Sequence, residues 1–133
     1  MQITRQADYA IRAILFLAQL DSQERASTSQ IAEEKHIPPS FLAKIISQLS
    51  IAGLIHTSRG ARGGVTLARP ADQITVIEVV EAIDGPIALN QCTFSQVSTC
   101  PFGGECPVRD LWVETQNELV SKLSNTTFAS FLK

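Results

Sequence analysis

The sequence predicts a mainly α-helical fold with one small β-hairpin and a long C-terminal helix. Three observations carry that prediction. Apolar residues recur at helical spacing in several separate stretches, two short strand-like runs flank the glycine-rich segment 58–64, and an apolar stripe runs from Val108 to Leu123. With 133 residues, 44% of them apolar and 18% charged, the chain has the length of about one domain and a globular composition.

The elements follow in order. Thr4 can cap a first helix in which Ala7, Ile11, Ile14, Leu15, Ala18 and Leu20 form the inward stripe, ending near Asp21. After the polar stretch Asp21 to Ala26, Ser27 or Thr28 starts a short second helix, Gln30 to Lys35, with Ser27 and Gln30 at capping-box spacing. Pro38 and Pro39 end one segment and open the next, because proline suits a first helical turn and not an interior. In the third helix Leu42, Ile45, Ile46 and Leu49 recur at i, i+3, i+4 and i+7, and Gly53 is the stop. Strands over Leu54–Thr57 and Val65–Ala68 then enclose Ser58-Arg59-Gly60-Ala61-Arg62-Gly63-Gly64, a basic hairpin tip. Thr75 and Glu78 have capping-box spacing at the start of a fourth helix, Ile74 to Ile83, which Asp84-Gly85-Pro86 breaks. A long loop to about Pro107 leads to the last helix, Val108 to Leu123, ~24 Å long. Thr126 is expected to cap a closing turn, Thr127 to Leu132.

The third helix decides which residues look outward. With its apolar four buried, Ser40, Lys44, Ser47 and Gln48 are left on an exposed face of small hydrogen-bonding side chains, suited to base edges, and Thr28 joins them from the second helix. Arg59 and Arg62 at the hairpin tip suit phosphate or the minor groove, although Gly63-Gly64 also fits a plain turn needing positive φ. Two short helices, a third with a polar face and an arginine-tipped hairpin make a winged helix-turn-helix. Charge agrees: residues 1–70 hold eight Lys and Arg against five acids, +3, and the rest three against eight, −5, within a net charge of −2. Double-stranded DNA is therefore the expected partner of the first half.

The loop after the fourth helix is too long to be structureless filler. It carries Cys92, Cys100 and Cys106 as C-x7-C-x5-C, with Pro101 and Pro107 directly after two of them. An odd count disfavours disulfides, and zinc wants a tighter pair and a fourth ligand. An iron-sulfur cluster, which takes thiolates from a wrapping loop, is the favoured reading, with redox-active thiols as its rival. His36 and His56 lie in the N-terminal half and read as ordinary histidines. The stripe on the last helix suits a homodimer interface. No apolar stretch reaches the roughly 18 to 20 residues that span a bilayer, and Asp8 and Arg12 interrupt Ala7 to Leu20, so a cytoplasmic protein without a membrane partner is expected.

The opening M-Q-I-T-R-Q-A-D-Y-A-I-R-A, the stretch S-F-L-A-K-I-I-S-Q-L-S-I-A-G-L, the wing S-R-G-A-R-G-G-V-T-L, the I-T-V-I-E-V-V-E-A-I-D-G helix and the closing T-T-F-A-S-F-L resemble the Rrf-type bacterial transcriptional regulators, IscR/NsrR-like branch. The resemblance implies a homodimeric winged-helix factor in which the three loop cysteines hold a two-iron or four-iron cluster, matching Cys92, Cys100 and Cys106. Where the IscR-like pattern has a histidine after the last cysteine this chain has Arg109, which cannot ligate iron while charged. The NsrR-like pattern has an acidic residue in the first helix that reaches the partner's cluster, and Asp8 matches it. The first cysteine gap, x7, is wider than the x5 of the IscR-like pattern, and Ala43 replaces an acidic residue of the IscR-like reading helix.

The expected organisation is residues 1–84 for DNA binding, 85–107 for the cluster loop and 108–133 for dimerisation. The expected function is a repressor whose operator binding responds to nitric oxide, redox state or iron-sulfur status. The alternative keeps the DNA-binding module and makes the cysteines redox- or metabolite-responsive without a cluster. An electron carrier would leave Arg59 and Arg62 without a use, and no phosphate-cradling motif or nucleophile-base pair suggests an enzyme.

Overall fold

The structure, a computed structural model, describes residues 2–21, 24–61, 63–90, 93 and 106–132. Arg62, Cys92 and Cys100 lie outside the described residues. Helix α1 spans Arg5–Gln19, and the Thr4 hydroxyl caps it by accepting the Ala7 N–H at 3.1 Å. Its buried face is Ala7, Ala10, Ala13, Ile14 and Leu17, mostly small side chains that let neighbouring helices approach closely; of the predicted stripe only Ala7 and Ile14 are buried, and Ile11, Leu15, Ala18 and Leu20 are half-buried. Helix α2 spans Thr28–Lys35, with the Ser27 hydroxyl accepting the Gln30 N–H at 3.1 Å. It ends at His36, which adopts the left-handed conformation (φ 54°) usual for a helix stop. Helix α3 covers Pro39–Ile51 with proline in its first turn, and Leu42, Ile45, Ile46 and Leu49 are buried as their spacing predicts.

Strands β1 (Ile55–Ser58) and β2 (Gly64–Leu67) pair antiparallel, with Ile55 opposite Leu67 and Ser58 opposite Gly64. Each runs one residue away from its predicted span. The Leu54 N–H is taken by the Leu49 carbonyl at 3.0 Å, closing the end of α3, so the regular ladder starts one position later. Ala26 adds a bridge on the other side of β2: its N–H and carbonyl both pair with Val65, at 3.2 and 2.7 Å. The polar stretch around Ala26 has no strand-like alternation, which is why the sequence predicts only two runs.

A 3-10 turn over Ala71–Gln73, absent from the predicted elements, precedes α4 (Val76–Asp84). There the capping box is complete: Thr75 Oγ1 accepts the Glu78 N–H while Glu78 Oε1 accepts the Thr75 N–H. Helix α5 spans Arg109–Ser124, and a 3-10 turn over Phe128–Phe131 closes the chain. Thr126 is not its cap. Thr127 occupies that position, and the Thr126 hydroxyl donates instead to the Lys122 carbonyl at 2.7 Å, finishing α5. The Val76 N–H reaches the Thr126 carbonyl and the Phe128 N–H the Ile74 carbonyl, at 2.9 and 3.1 Å, which stitches the C-terminal turn to the start of α4.

One core joins these elements. Ile14, Ile31, Leu42, Leu49, Val79, Val80 and Phe128 are fully enclosed in it. Helix α5 has no buried residue: Leu119, Val120 and Leu123 pack on the core from one side, while Val108 and Leu111 stand 48% and 54% exposed at its start.

Candidate nucleic-acid interface and cysteine loop

The wing and α3 enclose a cleft of about 570 Å³ lined on one side by Ala43, Ser47 and Ser50 and on the other by Ser58, Arg59 and Gly60, with Ser27 and Thr28 at one edge. Its shape follows from local chemistry. Gly63 donates its N–H to the Gly60 carbonyl at 2.9 Å, and a Cβ on Gly63 would collide with the Ser58 carbonyl and lie 2.9 Å from that of Gly60, so only glycine closes this turn. Gly64 has φ 148°, and a Cβ there would meet the Ala26 carbonyl at 2.9 Å. The two glycines therefore serve the packing of the wing against Ala26 as well as its turn. Beside them Arg25 donates to the Ser58 hydroxyl at 2.7 Å.

The predicted DNA-facing residues divide. Thr28, Ser47 and Arg59 line this one cleft. Ser40 and Lys44 are exposed on the same helical row of α3 as Ser47 but lie outside the cleft lining. Gln48 departs from its expected exposure, being half-buried with its Oε1 enclosed and unpartnered among the described residues, because it sits next to Leu49 at the edge of the buried stripe. Arg62 lies outside the described residues. Spacing alone did not single out Ser50 and Ser58, which come to the cleft from α3 and β1, or Arg25, which reaches Ser58 from the segment before α2.

The predicted metal ligands are not gathered among the described residues, in which no group of three or more His, Cys, Asp or Glu could hold a metal ion. Cys92 and Cys100 lie outside them, and Cys106 is a half-buried thiol one turn before α5. The Arg109 N–H donates to the Cys106 carbonyl at 3.1 Å, and the Arg109 Nε is buried without a partner among the described residues. On α1, Asp8 pairs with Arg12 at 2.9 Å, both about half exposed, the one-turn ion pair expected of i, i+4 neighbours. His36 and His56 are exposed, as ordinary histidines. Among the described residues no helix is long and apolar enough to cross a membrane.

The sequence matches the family described as Rrf2, iron-dependent transcriptional regulator, over residues 3–133. The chain belongs to the Rrf2 family. An HTH-type transcriptional regulator of Mycobacterium tuberculosis is similar, 33% identical over 130 residues, covering 97% of this chain and 80% of that protein. Among solved structures, CymR, the global cysteine regulator of B. subtilis, is similar with a TM-score of 0.84 at 26% identity, over 100% of this chain and 99% of that one. IscR of T. potens is similar with a TM-score of 0.76 at 25% identity, over 99% of this chain and 86% of that one. This Rrf2-family chain is a DNA-binding transcriptional regulator, not an enzyme, and its helices and two-stranded hairpin have the winged-helix arrangement of these regulators.

Proposed function

We propose that this Rrf2-family regulator acts in the cytoplasm as a homodimeric repressor, reading double-stranded operator DNA with Thr28, Ser40, Lys44, Ser47, Gln48, Arg59 and Arg62, under control of an iron-sulfur cluster held by Cys92, Cys100, Cys106 and Asp8. The single observation that supports it most is the hydroxyl- and arginine-lined cleft between α3 and the wing, carried on the cationic half of the chain and joined through one core to the helix that follows the cysteines. Residues 1–84 then bind DNA, 85–107 form the sensing loop and 108–133 the dimer contact. Exposed Val108 and Leu111 give α5 an apolar start for a second copy to cover, and two α3 helices about one helical turn (~34 Å) apart match a palindrome.

The donor set suits the cluster. Three thiols would supply thiolates, and the buried Nε of Arg109, unpartnered among the described residues, is a cationic hydrogen-bond donor three residues after Cys106. Asp8 can leave Arg12 at little cost, since exposed ion pairs contribute about 0.2–1 kcal/mol. A bound cluster supplies iron open to nitric oxide, oxygen or iron depletion. Asp8 sits on the helix that packs directly against α3, so a change in what its carboxylate holds acts next to the DNA-reading element.

A second reading, cysteines that respond without a cluster, is favoured by the likeness to CymR, a global cysteine regulator, and to an oxidised form of S. aureus CymR, with a TM-score of 0.74. Anaerobic purification with iron and sulfide analysis, and an absorption spectrum before and after nitric oxide, separates the two. The cluster reading expects coloured protein whose spectrum changes. Colourless protein with three free thiols, whose operator binding responds to peroxide without iron, contradicts it and selects the second.

A further inference from the structure

One side chain of α5 grips the start of the cysteine loop at two points. Gln116 accepts the Leu89 N–H at its Oε1, 2.9 Å, and donates from its Nε2 to the Thr93 carbonyl, 3.2 Å. Both ends of the amide are used, each on main-chain atoms more than twenty residues away in sequence. Asn90 and Thr93 also bond each other. The Thr93 N–H and hydroxyl both donate to the Asn90 carbonyl, at 3.1 and 2.7 Å, and the Asn90 N–H donates back to the Thr93 hydroxyl at 3.1 Å. Upstream, Ile87 is buried, and Asp84 accepts the N–H and hydroxyl of Thr4 at 3.3 and 2.5 Å.

We propose that Gln116 is a positioning residue for the cysteine loop, fixing the path of the chain at Leu89 and Thr93 and so tying the loop to α5. Main-chain groups are what it holds, so the grip reads the course of the backbone and not the side chains along it. Gln116 is half-buried on the same face as Leu119, Val120 and Leu123, which rest on the core, so its own position is fixed. Thr93 is one peptide bond from Cys92. Leu89 and Thr93 are thereby tied to α5 directly. This deepens the proposed function and rests on it only for the consequence that the gripped segment leads into a ligand.

The test uses the full-length, metal-free protein. Amide hydrogen exchange should show Leu89 slowed at least ~10-fold against an unstructured amide, as for a hydrogen bond that opens only locally. Gln116→Leu should remove that protection while amides within α1 and α5 keep theirs, and should speed alkylation of Cys92 relative to Cys106 by at least ~5-fold. Gln116→Glu, which keeps the acceptor for Leu89 and sets a carboxylate against the Thr93 carbonyl, should restore protection at Leu89. An unprotected Leu89 amide in the unsubstituted protein overturns the proposal without any variant, and equal acceleration of both cysteines, or of neither, overturns it as well. Failure of the protein to take up iron and sulfide, with Leu89 still protected, sinks the cluster reading and leaves the grip standing.

Discussion

At Gly63 the missing side chain is what lets the wing close, because a Cβ there would collide with the Ser58 carbonyl. Gly63→Ala should cost about 1–3 kcal/mol in chemical denaturation and weaken operator binding, whereas a change within about 0.5 kcal/mol would mean the turn has room after all. Arg59 is exposed at the same tip. As a phosphate contact, Arg59→Ala should weaken binding about equally for all sequences and reduce the salt-dependence slope by about one unit. Glu78 sets a pH dependence. Burial pushes its carboxyl up, but the hydrogen bond from Arg69 at 2.6 Å, those from the Thr75 backbone and hydroxyl, and the Arg69 charge outweigh it and hold the group below its ordinary 4.5. A depressed folded value contributes stability that is present above the unfolded value and lost as pH falls through the folded one. Unfolding midpoints should therefore fall as pH drops below about 4.5, and fall less in Glu78→Gln; identical acid profiles would contradict this account of the capping box.

Among the elements, those with a strong local signal were legible in the sequence. The i, i+3, i+4, i+7 stripe of α3, the caps at Thr4, Ser27 and Thr75, and the stop at Gly53 are read from neighbours in the chain and stand as expected. What was not legible depends on distant partners. The Ala26 bridge to Val65 needs a polar stretch to meet a strand about forty residues on. Thr126 fails instead for a local reason, its hydroxyl being used on the Lys122 carbonyl one turn back in α5. In the candidate site, chemistry named Thr28, Ser47 and Arg59, and the fold brought them to one cleft; it could not foretell that Gln48 turns half inward. The closing turn matters more than its length suggests, since Phe128 is fully buried. Phe128→Ala should cost about 3–5 kcal/mol in denaturant unfolding, and a loss under about 1 kcal/mol would mean that this turn is not part of the core. In α5, Leu111 is 54% exposed in the single chain. Leu111→Asp should convert a dimer to a monomer in sedimentation while leaving each subunit folded; an unchanged dimer would move the interface elsewhere.

The whole molecule joins a cationic half, which carries α3 and the wing, to an acidic half around one core. Asp84, at the end of α4, holds the cap of α1, which packs on α3, and Gln116 holds the chain at Leu89 and Thr93 to α5. An effector can shift operator affinity only by its differential affinity for the two states, typically about 1–3 kcal/mol, or roughly 5- to 150-fold. The most direct measurement is operator affinity, at fixed salt, of one anaerobic preparation before and after its iron is removed by a chelator, with iron and sulfide counted in both. The account predicts iron and sulfide in the first sample and an affinity change within that range. Equal affinities across a verified loss of iron would contradict it.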